Sequence, residues 1–230
     1  MSKRILTHLS SVDANMGALI KAYGPYRFIR EEYGQPFQTL ARAITHQQLH
    51  AVAARAIFQR FVGACGDGSL PSVELVMNAP VATLRAAGLS FAKIACLKDL
   101  ASKTLEGIVP DRSTLEGLPD LEIIERLTQV RGVGRWTVEM LLIFQLGRTD
   151  VLPVDDFGVR NGFRLAYGLR KMPTTRALAA YGERWAPYRT AAAWYLWRAN
   201  ELHRAGKLPP PCERIRLPRV RTRRRRRARK

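Results

Sequence analysis

Residues Leu127 to Leu142 read LTQVRGVGRWTVEMLL, and the Gly132-Val133-Gly134 turn at their centre constrains the fold more than any other stretch. Apolar residues repeat at helical spacing before it (Leu121, Ile124, Leu127, Val130) and after it (Trp136, Met140, Ile143). Two short helices therefore meet at a turn of about four residues. Glycine admits the positive φ that such a turn needs, and without side chains it lets a ligand approach the peptide N–H groups. Unpaired N–H groups at the start of the second helix suit a phosphate, and Arg135 adds a charge beside them. An ordinary αα-hairpin that turns on glycine for packing alone gives the same pattern, so the rest of the chain must decide.

Helical periodicity runs throughout, and the alternating Val, Ile, Thr and aromatic runs that signal strands are missing. The chain reads as all-α. The longest predicted helix spans Phe37 to Val62, ended by Gly63 and Gly66. Prolines and glycines then punctuate shorter helices near 72–78, 81–87 and 91–106, the hairpin pair occupies about 120–147, and further helices fall near 156–168, 174–183 and 188–204. Residues 1–208 read as one helical domain. From 209 to 230 the chain is Pro- and Arg-rich with little to bury, and reads as a disordered basic tail.

Apolar content of 47% in 230 residues supports a sizeable core without disulfides. Thirty-eight Lys and Arg against 19 Asp and Glu give a net +19, which points to a polyanionic partner. From Cys212 to Lys230, eleven basic residues face Glu213 alone, a local +10 that leaves +9 on residues 1–211. The tail can tether DNA non-specifically, act as a nuclear address or simply be a solvated run. Cys65, Cys96 and Cys212 show no metal-binding spacing, which excludes a zinc or iron–sulfur site and fits a reducing compartment. Neither a secretory signal nor a run of about 20 apolar residues is present, so no membrane role is expected.

Twenty residues beyond Trp136 stands LPVDDFGVR, with Asp155 and Asp156 at a predicted helix start. Either aspartate can cap the helix, and the capping role is assigned to Asp155. A carboxylate here can instead stabilise positive charge that develops on a sugar as a base departs, or help water attack it. Trp185 and Trp194 lie at spacings that read as core. Trp136 emerges beside the turn, where an indole can stack on an extruded base and favour a cationic one.

GVGRWT followed by LPVDDFG, with ITHQQLHAVAARAI (44–57), LSFAKIACLKDLA (89–101) and ERWAPYRTAAAWYLW (183–197), resembles the helix-hairpin-helix (HhH-GPD) DNA glycosylases, most of all their 3-methyladenine DNA glycosylase II branch. The resemblance covers about Phe37 to Ala205. It implies two mostly helical lobes with the active site in the cleft between them, and cleavage of the N-glycosidic bond of alkylated purines in double-stranded DNA as the first step of base-excision repair. It places the catalytic carboxylate on Asp156 and the base pocket on Trp136, Trp197 and Met140. DNA contacts fall on Gly132, Val133, Gly134, Arg135 and Thr137, and the duplex-opening wedge falls on Gln47, Gln48 and Leu49.

No cofactor is required by this resemblance. A monovalent cation shared with the DNA backbone would take the carbonyls of Thr128, Val130 and Val133. Relatives that also cleave the strand carry lysine where Trp136 stands, so the indole implies a monofunctional hydrolase. Met140 replaces an aromatic of one member type, and His50 stands where a small hydroxyl residue is usual; it reads as phosphate-facing or solvent-facing. The expected protein is a monomer, cytoplasmic and nucleoid-associated in a bacterium or nuclear in a eukaryote. A non-catalytic DNA-binding protein, and a glycosylase of the same fold for oxidised or mispaired bases, are the two alternatives.

Overall fold

The structure is a computed structural model and describes residues 2–31, 33–66 and 70–217. In chain order the α-helices are α1 (Ser2–Val12), α2 (Ala14–Tyr23), α3 (Pro36–His46), α4 (Ala51–Cys65), α5 (Val73–Asn78), α6 (Val81–Ala86), α7 (Phe91–Leu105), α8 (Arg112–Gly117), α9 (Asp120–Leu127), α10 (Arg135–Met140), α11 (Phe157–Ala166), α12 (Thr175–Gly182) and α13 (Arg189–Arg204). A π-turn, Leu141–Gln145, continues α10, and a 3₁₀ turn, Glu183–Trp185, follows α12. Among the described residues there is no strand, as the periodicity predicts. The chain divides into two compact units: Ile29–Arg148, and the two ends taken together, Met1–Phe28 with Thr149–Lys230.

In the unit built from the chain ends, α11 crosses α13 at Gly162. A Cβ added there would lie 1.8 Å from the Leu196 carbonyl oxygen, so only glycine permits this approach. Phe163, Tyr167, Tyr181 and Trp185 form an aromatic cluster beside the crossing, with Phe163 and Tyr167 stacked at 4.1 Å. Trp185 and Trp194 are both core residues, as their spacing suggested. Asp13 is buried among them. Its Oδ1 caps α2 by accepting from the Met16 N–H (3.1 Å), while Oδ2 accepts from the Tyr167 hydroxyl (2.7 Å) and the Trp185 indole N–H (2.9 Å). Burial without these partners would be costly, and three donors on one carboxylate offset it. Helices α1 and α2 were not anticipated from sequence. Their apolar positions Ile5, Leu9, Met16, Leu19 and Ile20 supply one side of this core.

Two sequence expectations need correction. The predicted helix from Phe37 to Val62 is broken after His46: Gln48 has φ +56°, and His50 opens α4. A side chain in the left-handed region cannot sit inside a helix, so the apolar repeat continues across a break that periodicity alone does not mark. The second correction concerns the tail, expected to be disordered from 209. Residues 209–217 are held against the core: the Asn15 side-chain amide donates to the Glu213 carbonyl (3.0 Å), its oxygen accepts from the Glu213 N–H (3.1 Å), and Ile215 and Leu217 pack on the cluster. Two apolar side chains and a paired backbone suffice to dock a stretch that begins with three prolines. Residues 218–230, which carry most of the Arg run, lie outside the described residues.

The unit Ile29–Arg148 is organised on α7, whose buried face (Ile94, Leu97, Leu100, Ala101) packs against α3 and α5. Ser90 starts α7 by accepting from the Lys93 N–H at 3.3 Å. Among the described residues, no helix is long and apolar enough to cross a membrane.

Candidate active site and nucleic-acid interface

The hairpin forms as the sequence predicts, but its connection is longer than four residues. Helix α9 ends at Leu127 and tight i→i−3 bonds (Gln129 to Arg126, 3.3 Å; Val130 to Leu127, 3.2 Å) carry the chain to Gly132. Gly132 is required twice over. Its φ is +79°, and an added Cβ would stand 2.6 Å from Cys96 Sγ. Gly134, the residue before α10, faces open space, so its missing side chain leaves room rather than relieving a clash.

Two of the hairpin's N–H donors are used within the protein. The Arg131 N–H is taken by Asp99 Oδ2 (2.7 Å), and the Val133 N–H by the Val130 carbonyl (3.0 Å). Among the described hydrogen bonds, those of Gly132, Gly134 and Arg135 have no internal acceptor, as expected at a helix start. Val133 thus serves the turn's own closure, and the donors presented outward are its neighbours'. Arg135 is half-exposed and pairs through Nε with the buried Glu139 carboxylate at 2.8 Å, which fixes the guanidinium at the beginning of α10. Thr137 is buried and borders the cavity on which Trp136 stands.

Trp136 is 44% exposed, unusual for an indole that could have been packed away. It stands on a cavity of about 580 Å³ that lies within this unit and is also bordered by Met140, Leu40, His46, Gln47 and Gln48. The expected base-pocket residues Trp136 and Met140 and the expected wedge residues Gln47 and Gln48 thus share one cavity. Gln47 donates its side-chain amide to the Gly132 carbonyl (3.0 Å), which ties it to the hairpin, whereas Gln48, Leu49 and His50 are exposed. A non-glycine residue at φ +56° costs about 1 kcal/mol, and such strain persists only where the surroundings enforce it.

The carboxylate belongs to the other unit. Asp156, not Asp155, caps α11: its Oδ1 accepts from the Val159 N–H at 2.7 Å, and Asp155 is exposed. Both aspartates satisfy the capping preference, and only the turn closed by the Asp156 N–H on the Pro153 carbonyl (3.0 Å) decides between them. Oδ1 also accepts from the Trp197 indole N–H at 2.8 Å. Trp197 is half-buried, and its polar edge is spent on this carboxylate. Gly158 makes the contact possible, since a Cβ there would stand 2.9 Å from Trp197 Cδ1 and 3.1 Å from Asp156 Oδ1. Asn200 holds the same turn by donating to the Gly158 carbonyl (2.9 Å), and Asn161 donates to Asn200 in turn (2.7 Å). Sequence reading missed Gly158, Asn161 and Asn200, and also Phe157, which is 69% exposed directly after Asp156. The i, i+4 spacing of Gly158 and Gly162 on the helix that Asp156 starts was the available signal.

The HhH-GPD superfamily base excision DNA repair proteins match residues 41–187, a span that includes the hairpin and Asp156. This chain belongs to that family. Within the HhH-GPD proteins it is similar to the DNA-3-methyladenine glycosylase 1 of Schizosaccharomyces pombe, 46% identical over 196 residues, 85% of this chain and 86% of that one. The solved structure of an S. pombe 3-methyladenine DNA glycosylase in complex with abasic DNA superposes with a TM-score of 0.78 at 46% identity, covering 86% of this chain and 97% of that chain. A DNA-3-methyladenine glycosidase from Bacillus halodurans gives a TM-score of 0.80 at 32% identity over 89% of this chain and 94% of its own. Trp197 lies beyond the span of the family match, so its bond to Asp156 rests on the geometry alone.

Replacing Trp197 with Phe keeps most of the ring and removes the N–H. The Asp156 carboxylate then keeps its cap bond and loses its second anchor. Single-turnover base release should slow about tenfold, equivalent to about 1.4 kcal/mol, with duplex affinity unchanged. An unchanged rate would show that Asp156 is positioned without the indole N–H.

Proposed function

We propose that this protein is a monofunctional DNA glycosylase that hydrolyses the N-glycosidic bond of purines alkylated at N3 or N7, and so begins base-excision repair. The observation that carries the reading is the Asp156 carboxylate, held by the start of α11 and the Trp197 indole. The similarity to proteins named 3-methyladenine glycosylases supports the substrate class.

An alkylated purine already carries positive charge. When the C1′–N9 bond breaks, the electron pair stays on the purine and neutralises it, so departure needs no general acid. The sugar is left with oxocarbenium character, which a fixed carboxylate stabilises. Water then adds to C1′ and gives up a proton, leaving an abasic site and the free base. Asp156 supplies the carboxylate. Trp136 supplies an aromatic face for a cationic base, with Met140 shaping the pocket beside it, and Trp197 anchors the carboxylate through its indole N–H. The outward N–H groups at Gly132, Gly134 and Arg135 hold a DNA phosphate, and Gln47, Gln48 and Leu49 act where the duplex opens. The protein works on double-stranded DNA as a monomer.

Glycosylases of this family are typically cofactor-independent. Among the described residues, no cluster of His, Cys, Asp or Glu could hold a metal. A monovalent cation at the hairpin would use the carbonyls of Thr128, Val130 and Val133. Of these only the Thr128 carbonyl lies at the end of α9, at that helix's negative pole, and it accepts none of the described hydrogen bonds. The Val130 carbonyl already accepts from the Val133 N–H, so it would be shared.

An indole at Trp136 offers no amine for a Schiff base, and this distinguishes hydrolysis from lyase chemistry. A duplex with one 7-methylguanine should therefore yield free base and an abasic strand that stays intact until alkali is added. Strand cleavage without alkali would refute the monofunctional reading.

A further inference from the structure

The two loops assigned to DNA, the turn at Gln48 and the hairpin at Gly132, are tied to each other through a single face of α7. Lys93, Cys96 and Asp99 stand at i, i+3 and i+6 of that helix, spacings that place them on one side. At one end, Lys93 Nζ donates to the carbonyls of Thr45 (2.6 Å), in the last turn of α3, and Gln47 (2.9 Å), its C-cap, just before the chain turns at Gln48. A cation suits these carbonyls, which have no helical donors and lie at the negative end of α3. At the other end, Asp99 Oδ2 accepts from the Arg131 N–H (2.7 Å) while its Oδ1 pairs with Lys103 (2.6 Å). Between them, Cys96 Sγ fills the place where any side chain at position 132 would go. Gln47 then closes the circuit, its side-chain amide donating to the Gly132 carbonyl at 3.0 Å.

We propose that this stripe sets the spacing between phosphate grip and duplex opening, with Lys93 and Asp99 as positioning residues for base extrusion. The inference rests on the roles proposed above for the two loops. Neither side chain needs to touch DNA. Each holds a backbone segment that has no regular partner of its own, and one of those segments contains the left-handed Gln48. A wedge enters the duplex at the right base pair only if its distance from the gripped phosphate is held within a fraction of an ångström. Burial lowers the Lys93 pKa, yet the ammonium form is the one that can donate to two carbonyls. For Asp99, burial would raise the pKa, and the Arg131 N–H with the Lys103 and Arg131 charges reverses this to hold the carboxyl below its ordinary value.

Lys93→Met keeps the aliphatic stem and removes the donor. Single-turnover release of 7-methylguanine is compared in two duplexes: lesion paired with cytosine, where extrusion breaks a stable pair, and lesion opposite an abasic gap, where extrusion costs little. The paired substrate should slow at least tenfold and the gapped one less than threefold, with affinity for undamaged duplex within threefold of the unmodified protein. Lys93→Arg, which can donate to both carbonyls, should recover part of the paired rate. Asp99→Ala probes the other end of the stripe and gives the same split, which keeps the inference testable if Lys93→Met does not fold. Equal slowing on both duplexes, a parallel loss of affinity, or no change would overturn it. If the unmodified protein releases base from neither duplex, the glycosylase reading itself fails, which is a different result.

Discussion

Asp156→Asn should abolish base release and leave duplex binding intact or tighter. The substitution is nearly isosteric, and asparagine caps helices about as well as aspartate. Its side-chain oxygen can still accept from the Val159 N–H and the Trp197 indole, as Asp156 does. The fold around α11 therefore survives, and only the charge is lost. Without a fixed anion, the positive sugar that forms as the base leaves has no compensating partner. A loss of at least 10²–10³-fold is expected, about 3–4 kcal/mol of transition-state stabilisation. If Asp156 faces DNA as proposed, removing its negative charge lowers repulsion from the phosphates, so affinity should not fall. Single-turnover release at saturating enzyme, with binding measured on the same duplex, separates the two effects. Full activity in this variant would remove Asp156 from the mechanism.

The largest expected stability change lies at Gly162→Ala, away from any proposed contact with DNA. The added methyl would sit 1.8 Å from the Leu196 carbonyl oxygen and 2.6 Å from its carbon. Backbone cannot rotate away as a side chain can, so α11 and α13 must part by more than an ångström. Separating them disturbs the core around Phe163, Trp185 and Tyr195, and overpacking of this kind costs about 3 kcal/mol. For a chain of this length, that corresponds to a fall of about 10 °C in Tm. Gly63→Ala is the control, since Gly63 lies inside α4 with no neighbour near its missing Cβ. It should be neutral or gain about 0.5–1 kcal/mol from helix propensity. Equal Tm values for the two variants would show that the crossing adjusts more readily than the geometry allows.

How much of this could be read in the sequence varies with the physical signal. Hairpin, helix class and most helix bounds were legible because apolar spacing and proline–glycine punctuation mark them directly. The role of Gly132 was legible as a turn, but its second reason, Cys96 Sγ beneath it, depends on a helix over thirty residues away. The break at Gln48 left no trace in periodicity, because the apolar repeat resumes in α4 after the αL residue. Sequence narrowed the carboxylate to Asp155 and Asp156 and gave the cap to the wrong one. Capping chemistry is the same for both, and Pro153 decides through a backbone bond that composition does not encode. Trp197 was expected as a wall for the base, whereas its N–H reaches Asp156 only because Gly158 leaves room. The docking of 209–217 was hidden by its prolines and by the Arg run that follows it in sequence, since Ile215, Leu217 and the Asn15–Glu213 pairing are few contacts.

If the charge of the damaged base drives its recognition and release, excision from four matched duplexes carrying 3-methyladenine, 7-methylguanine, hypoxanthine or 8-oxoguanine will separate the lesions by charge. The two cationic alkylpurines should be released, each leaving an unbroken abasic strand, and uncharged 8-oxoguanine should remain, with hypoxanthine released far more slowly than either. Preferential release of 8-oxoguanine would contradict the account, and release of none would leave a protein that binds DNA without cutting the glycosidic bond.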